Sequence, residues 1–246
     1  MIDQLFLFLV RVRQGFPEND LAVRFDISIS SVSRIIITWA NYLYFLIGQV
    51  PIWPTRKMLH DTMPLCFSQT YPNVTVVFYC NEIKVQAPSS KVLNSELHSH
   101  YKSHTTLKGE TGVSPTGAVT FVSALFEGCT SDKEITLRSG ILDLLQQGDQ
   151  VMADKGFLIQ DLLEEKGALL VTPPFLSKTR NMQFSKNEVS QTQNIARLRI
   201  HVERAIRRVK EFHIFDSVVP LTLAGSINQL WSVCALLTNF RGALFY

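Results

Sequence analysis

The chain has 246 residues, 46% hydrophobic and 18% charged, with 24 Lys+Arg against 21 Asp+Glu and a formal charge of +3. This is a globular balance, not a disordered one, and the length fits one large domain or a small module beside a domain of ordinary size. No apolar run reaches the roughly eighteen residues of a membrane span, and the run at 5–10, between Asp3 and Arg11, has neither the flanks nor the length of a secretory signal. The expected class is soluble and intracellular. Cys66, Cys80, Cys129 and Cys234 are scattered, with no C-x-x-C, so reduced thiols are expected in place of a disulfide framework or zinc ribbon.

In chain order, residues 4–12 read as a helix closed by Gly15-Phe16-Pro17. Residues 18–25 have apolar side chains at helical spacing, Asp26-Ile27-Ser28 forms a turn, and Ser28 or Ser30 can cap a helix running to about Ile47. Leu21, Ala22, Phe25, Ile27, Val32 and Ile35 or Ile36 would fill a helix-turn-helix core. Asp26 stands where such turns often have glycine, tolerable because Asp adopts positive φ at modest cost. Ser31, Ser33, Arg34 and Thr38 are then the candidates to meet phosphates or base edges. The same geometry also serves plain packing. This module is assigned residues 1–50, followed by a proline-containing linker, 51–73, that opens with Pro51-Ile52-Trp53-Pro54.

The remainder, 74–246, reads as α/β. Strands are expected at 74–85, 107–113 and 118–126, the last two joined by Ser114-Pro115-Thr116-Gly117, a turn with proline early and glycine last. A helix over 133–146 follows, then a short strand, 150–154, ending in Asp154. Next come a helix at 160–166, a strand at 168–172 stopped by Pro173-Pro174, a long amphipathic helix at 187–211 and another helix at 223–238. Three antiparallel strands and then alternating helix and strand is the order of an RNase H-like mixed sheet with flanking helices, here preceded by a small all-α module.

Charge is unevenly placed. Residues 1–50 hold four basic and four acidic side chains, and 51–177 hold ten and thirteen. Residues 178–211 hold nine basic (among them Lys178, Arg180, Lys186, Arg197, Arg199, Arg204, Arg207, Arg208 and Lys210) against three acidic. A basic stripe in a nearly neutral protein fits a polyanion, most often nucleic acid, as well as a solvated helix face. His98, His100 and His104 have the look of a metal cluster, but no Cys or carboxylate lies at ligand spacing, and a solvated loop or strand is the simpler reading.

The stretches 21–39, 51–54, 101–104, 112–123, 131–138, 151–157, 198–210 and 236–240 together resemble the Harbinger-type DDE transposases, the DDE superfamily endonucleases and their domesticated relatives. The resemblance covers essentially the whole chain. It implies DNA cleavage and strand transfer by three carboxylates holding two Mg²⁺ or Mn²⁺ ions, one for each end of an in-line displacement at phosphorus. Such ions take hard oxygen ligands, hence Asp and Glu. By resemblance, Asp154, at the end of its strand, is the second carboxylate, and Glu203, within His201-Val202-Glu203-Arg204-Ala205, is the third. On spacing alone Glu203 reads as an ordinary ion pair with Arg199 or Arg207.

The first carboxylate belongs one position before Cys80, where this chain has Tyr79. A neutral phenol, with a reference pKa near 10, does not bridge metals as a carboxylate does. Glu82, three residues on, faces the other side of a strand, whereas Asn81 shares Tyr79's face. Asp132, in Ser131-Asp132-Lys133-Glu134, is the better rescue candidate and a further candidate metal ligand. The expectation is a transposase-derived protein with an incomplete metal site, binding DNA through the 20–47 module and the Arg197–Lys210 stripe. The alternative is an active Mg²⁺- or Mn²⁺-dependent endonuclease with a rescued site. The resemblance further implies nuclear localisation, a separate partner supplying import or DNA specificity, and more sequence ahead of the helix-turn-helix than this chain has; the lack of a span-length apolar run leads to the expectation of no membrane association.

Overall fold

A computed structural model describes residues 1–99, 103–154, 156–173 and 186–242; within 186–202 it describes the side chains of 192, 193, 195–198 and 200. His100, Lys155, Lys178, Arg180 and the side chains of Lys186 and Arg199 therefore lie outside the described residues.

Three helices open the chain. Helix α1 (Ile2–Gln14) is longer than its apolar spacing predicts and ends at Gly15, whose φ of 72° turns the chain out of the helix. Helix α2 (Glu18–Phe25) ends at Asp26, which takes the left-handed conformation (φ 51°) that the turn requires. Ser28, not Ser30, caps α3 (Ile29–Gly48), its Oγ accepting from the Ser31 amide. Leu21, Ala22, Val32 and Ile36 are buried between the helices, as expected, while Phe25, Ile27 and Ile35 are half-buried.

Residues 51–73 contain two short helices, α4 (Arg56–Thr62), capped by Thr55, and α5 (Leu65–Ser68), which starts on Pro64. Proline density here marks helix beginnings as well as breaks, because proline lacks only an N–H that the first turn leaves unused. Arg56 fastens the segment to the sheet region through Asp149 Oδ1 (2.9 Å) and the Gln147 carbonyl (2.5 Å).

The sheet comprises β1 (Val74–Lys84), β2 (His98–Ser99), β3 (His104–Val113), β4 (Val119–Glu127), β5 (Gln150–Met152) and β6 (Leu169–Val171). Helix α6 (Lys91–Leu97) and strand β2 were not expected from the sequence. The spatial order is β4-β3-β1-β5-β6, with β2 also on β3; β1, β3 and β4 pair antiparallel, whereas β1, β5 and β6 pair parallel. That order and those directions define an RNase H-like α/β fold. Helix α7 (Asp132–Arg138) is shorter than the predicted 133–146 because Gly140, at φ 85°, ends it; a 3-10 turn, Ile141–Asp143, follows. Helices α8 (Gln160–Glu165), α9 (Lys186–Lys210) and α10 (Ile227–Leu237) follow among the described residues. No described helix is long and apolar enough to cross a membrane.

The core divides around β1, whose alternate side chains face opposite ways. Val76 and Phe78 pack with Ile141, Val151 and Leu163 on the α7–α8 side. Val77 packs with Met152, Leu198 and Ile206, and Tyr79 lies against this group on the α9 side. The N-terminal helices share a third cluster with α10, which holds Leu21 and Val32 together with Leu230 and Trp231. Trp231 lies so close to Gly109 of β3 that a Cβ there would meet the indole at 2.8 Å. Its Nε1 donates to the Ser123 carbonyl, while Asn228 and Asn239 accept from the Leu125 and Val119 amides, so the free edge of β4 is covered by side chains.

Candidate functional site

The site follows from a mismatch in strand length. β1 has eleven residues and β5 only three, and the two pair only from Val74 to Val77. Beyond Val77 the β1 edge is uncovered by β5, and Tyr79, Cys80, Asn81, Glu82 and Ile83 line a cleft of about 900 Å³. Asp154 enters it from just past the end of β5. A smaller cavity of about 310 Å³ adjoins it; Tyr79, Asp154 and Lys210 line both, and Glu203 and Arg207 line the smaller one. Thus Tyr79, Asp154 and Glu203, which the resemblance implies as one site, come together around a single cavity.

Tyr79 is not an idle replacement. Its hydroxyl accepts from Lys210 Nζ at 2.9 Å, and that ammonium lies 5.2 Å from the ring centroid, within cation–π range. Among the described residues, the charged groups lining the smaller cavity are two carboxylates, Asp154 and Glu203, and two cations, Arg207 and Lys210, whose formal charges balance. A three-carboxylate, two-metal arrangement does not fit this donor set. Two hard oxygen ligands are present, but the third position is a phenol oxygen carrying an ammonium.

Asp132 lines the larger cleft together with Tyr79 and Asp154. It is the first residue of α7, held by the Ser131 cap, and its carboxylate lies 3.8 Å from Lys108 Nζ. Lys108 in turn donates to the Thr130 carbonyl (3.1 Å) and lies 3.9 Å from Glu82, its cross-strand neighbour. Glu82 is therefore occupied on the face away from Tyr79, as alternation requires. Asn81, on Tyr79's face, donates to Thr111 Oγ1 at 3.3 Å. Burial pushes the Cys80 thiol up, helped by the carboxylates of Asp132 and Glu110, so Cys80 stays a neutral thiol.

Glu110, opposite Cys80 on β3, is fully buried, and burial pushes its carboxyl up to about 7 although the Thr136 hydroxyl donates to it at 2.9 Å. Sequence reading missed Lys108, Glu110 and Asp216. Thr106, Lys108 and Glu110 alternate as a solvent-facing strand would, and only the packing of α7 shows that face to be covered.

The expected DNA contacts fall into two groups. On α3, Arg34 and Thr38 are exposed while Ser31 and Ser33 are half-buried; Ser31 is also engaged with the Ser28 hydroxyl, and Arg34 Nε turns back to the Ser30 carbonyl at 3.2 Å. On α9, Arg197, Arg204, Arg207 and Lys210 are exposed, and Arg208 is half-buried with Nη1 on the Gly242 carbonyl at 2.6 Å. Of the three histidines His98, His100 and His104, His98 and His104 lie on the paired β2 and β3, and His100 lies outside the described residues.

An RNase H-like sheet with carboxylates at a strand end and on a following helix, beside a basic helix and a helix-turn-helix, is the architecture of a nucleic-acid-processing protein. Residues 78–239 match the family model of the DDE superfamily endonuclease, and residues 1–48 match that of the helix-turn-helix of DDE superfamily endonuclease. The chain belongs to this transposase-like nuclease family, whose members generally use divalent metals. No match was found among curated proteins.

Proposed function

We propose that this is a Harbinger-type, transposase-derived protein that binds DNA and is impaired in cutting it. The observation that carries the reading is Tyr79 at the first-carboxylate position with the Lys210 ammonium on its oxygen. Phosphodiester hydrolysis needs an activated nucleophile and a stabilised leaving oxygen, which the family's paired Mg²⁺ or Mn²⁺ ions supply. Here Asp154 and Glu203 remain as carboxylate ligands for a weakened ion, while Arg197, Arg204 and Arg207 meet phosphates from the exposed side of α9. Action in the nucleus, with a partner that supplies import or target specificity, belongs to the same proposal.

A second reading rests on Asp132, which shares the cleft with Asp154. If it supplies the missing ligand, the chain is an active Mg²⁺- or Mn²⁺-dependent endonuclease. Plasmid nicking in Mg²⁺ and in Mn²⁺ separates the two. The unaltered chain is expected to retard DNA without nicking it, Tyr79→Asp to nick, and Tyr79→Asp with Asp154→Ala to be silent. Nicking by the unaltered chain that is lost in both Asp132→Asn and Asp154→Ala establishes the second reading instead.

A further inference from the structure

The larger cleft runs beyond the carboxylates into a different environment. From Tyr79 to Ile83 is four residues of strand, about 13 Å, and there the lining becomes Ile83, Val209, Phe215 and Trp231. These belong to the apolar cluster that α10 shares with the N-terminal helices. Phe215 is half-buried and braced edge-on by Trp231, with ring centroids 6.3 Å apart. Asp216 follows it at the rim, paired with His213 Nδ1 at 2.6 Å.

Charge decides what can enter. Among the described residues, the cleft is lined by Glu82, Asp132, Asp154 and Asp216 against Lys108 and Lys210, two more carboxylates than ammoniums. A phosphate there meets more carboxylates than ammoniums, whereas the exposed Arg197, Arg204 and Arg207 of α9 stand outside that lining. A nucleotide satisfies both environments only when its backbone stays on α9 and its uncharged base turns inward. About 900 Å³ is ample for a base and part of its sugar.

We infer that the Phe215 end of the cleft seats an unpaired nucleobase, so that the protein prefers single-stranded or locally opened DNA over continuous duplex. The inference rests on the DNA-binding reading and adds the form of DNA bound. Unpairing a base in duplex costs free energy that a single strand does not have to supply, and stacking on an aromatic ring accepts any base.

The test uses the full chain in EDTA with an oligonucleotide carrying 2-aminopurine, single-stranded and in duplex. Saturating protein is expected to change the emission of the single strand. Phe215→Leu, which keeps an apolar side chain but removes the ring, is expected to abolish that change and weaken single-strand binding about fivefold or more. Duplex affinity and the salt dependence should stay as they were. Photocrosslinking of a 5-iodouracil strand to the unaltered chain is expected to map to residues 209–231, independently of how any variant folds, and crosslinks confined to α3 overturn the inference. Salt-sensitive retention without an emission change sinks the base seat alone. Failure to retain either DNA at low salt sinks the DNA-binding reading with it.

Discussion

Helices α3 and α9 both stand where DNA is expected, and they present opposite surfaces. The exposed side chains of α3 include Ile37, Tyr42, Phe45 and Leu46, and its one charged residue is Arg34. Helix α9 exposes Arg197, Arg204, Arg207 and Lys210. Affinity for DNA comes largely from counterions released by neutralised phosphates, so it scales with cations and not with helix-turn-helix geometry. Shape for a groove and charge for a backbone are separable properties, and here they sit on different elements. The two elements are nonetheless mounted together: α3 packs on α10 within one core, and Arg13 of α1 reaches Glu211 just beyond the end of α9.

The largest expected effect tests that division. Replacing Arg197, Arg204 and Arg207 with Gln should weaken duplex binding about three-hundredfold at 0.1 M salt and reduce the slope of log affinity against log salt by about three, with fluorescence anisotropy as the readout. An unchanged slope would move the electrostatic contact away from α9 and break the comparison.

Next comes the platform beneath α7, on the face of the sheet away from α9. Glu110 titrates near 7 in the folded chain against about 4.5 unfolded, so the native state holds the proton more tightly. Its contribution to stability is whole below the unfolded value, is lost as pH rises from about 4.5 to about 7, and is flat above that. The loss is up to about 3 kcal/mol. Glu110→Gln should remove this fall, melting higher than the unaltered chain at pH 8 and differing less from it at pH 5. An unaltered pH profile in Glu110→Gln would mean that another group titrates, and that α7 is not held over a neutral carboxyl.

A smaller effect concerns the mounting. Glu211 receives Arg13 at 3.1 Å and Arg241 at 2.6 Å, and these partners hold its carboxyl below the usual range. Because the group is partly solvated, Glu211→Gln should cost about 1 kcal/mol or less in urea unfolding. A second, earlier transition confined to α1–α3 would show that this clamp, more than the shared core, joins the module to the sheet.

Much of this was legible from the residues because local rules and tertiary packing agreed. The β-branched and aromatic density of 74–85 marked β1, the apolar spacing from Glu18 to Phe25 matched α2 end to end, and Asp26 took the positive φ its turn demanded. Agreement failed where one residue overrode a pattern. Ile141, Leu142 and Leu145 continue the helical spacing of α7, yet Gly140 stops it. For the site, strand-end and helix positions brought Asp154 and Glu203 into view only through the family resemblance, and nothing local pairs Tyr79 with Lys210. That contact spans 131 positions and exists because α9 crosses β1 where β5 has already ended. Lys108 and Glu110 were hidden for the same reason: a strand's polar face cannot announce the helix that covers it.

The smallest expected effect sharpens the opening comparison most. Arg34 is the one cation of α3, and its Nε is turned back to the Ser30 carbonyl, so Arg34→Ala should weaken binding to random-sequence duplex about threefold or less. The same variant measured on a duplex selected for tight binding separates two roles for α3. A loss of tenfold or more there, with the random-sequence value barely moved, would make Arg34 a base-edge contact, since bidentate reading of a base is worth about 1–3 kcal/mol only at the right sequence. Helix α3 would then supply specificity that α9 lacks. Equal small losses on both duplexes would leave α3 as a packing element whose outward apolar side chains do not read DNA, and α9 as the surface on which binding depends.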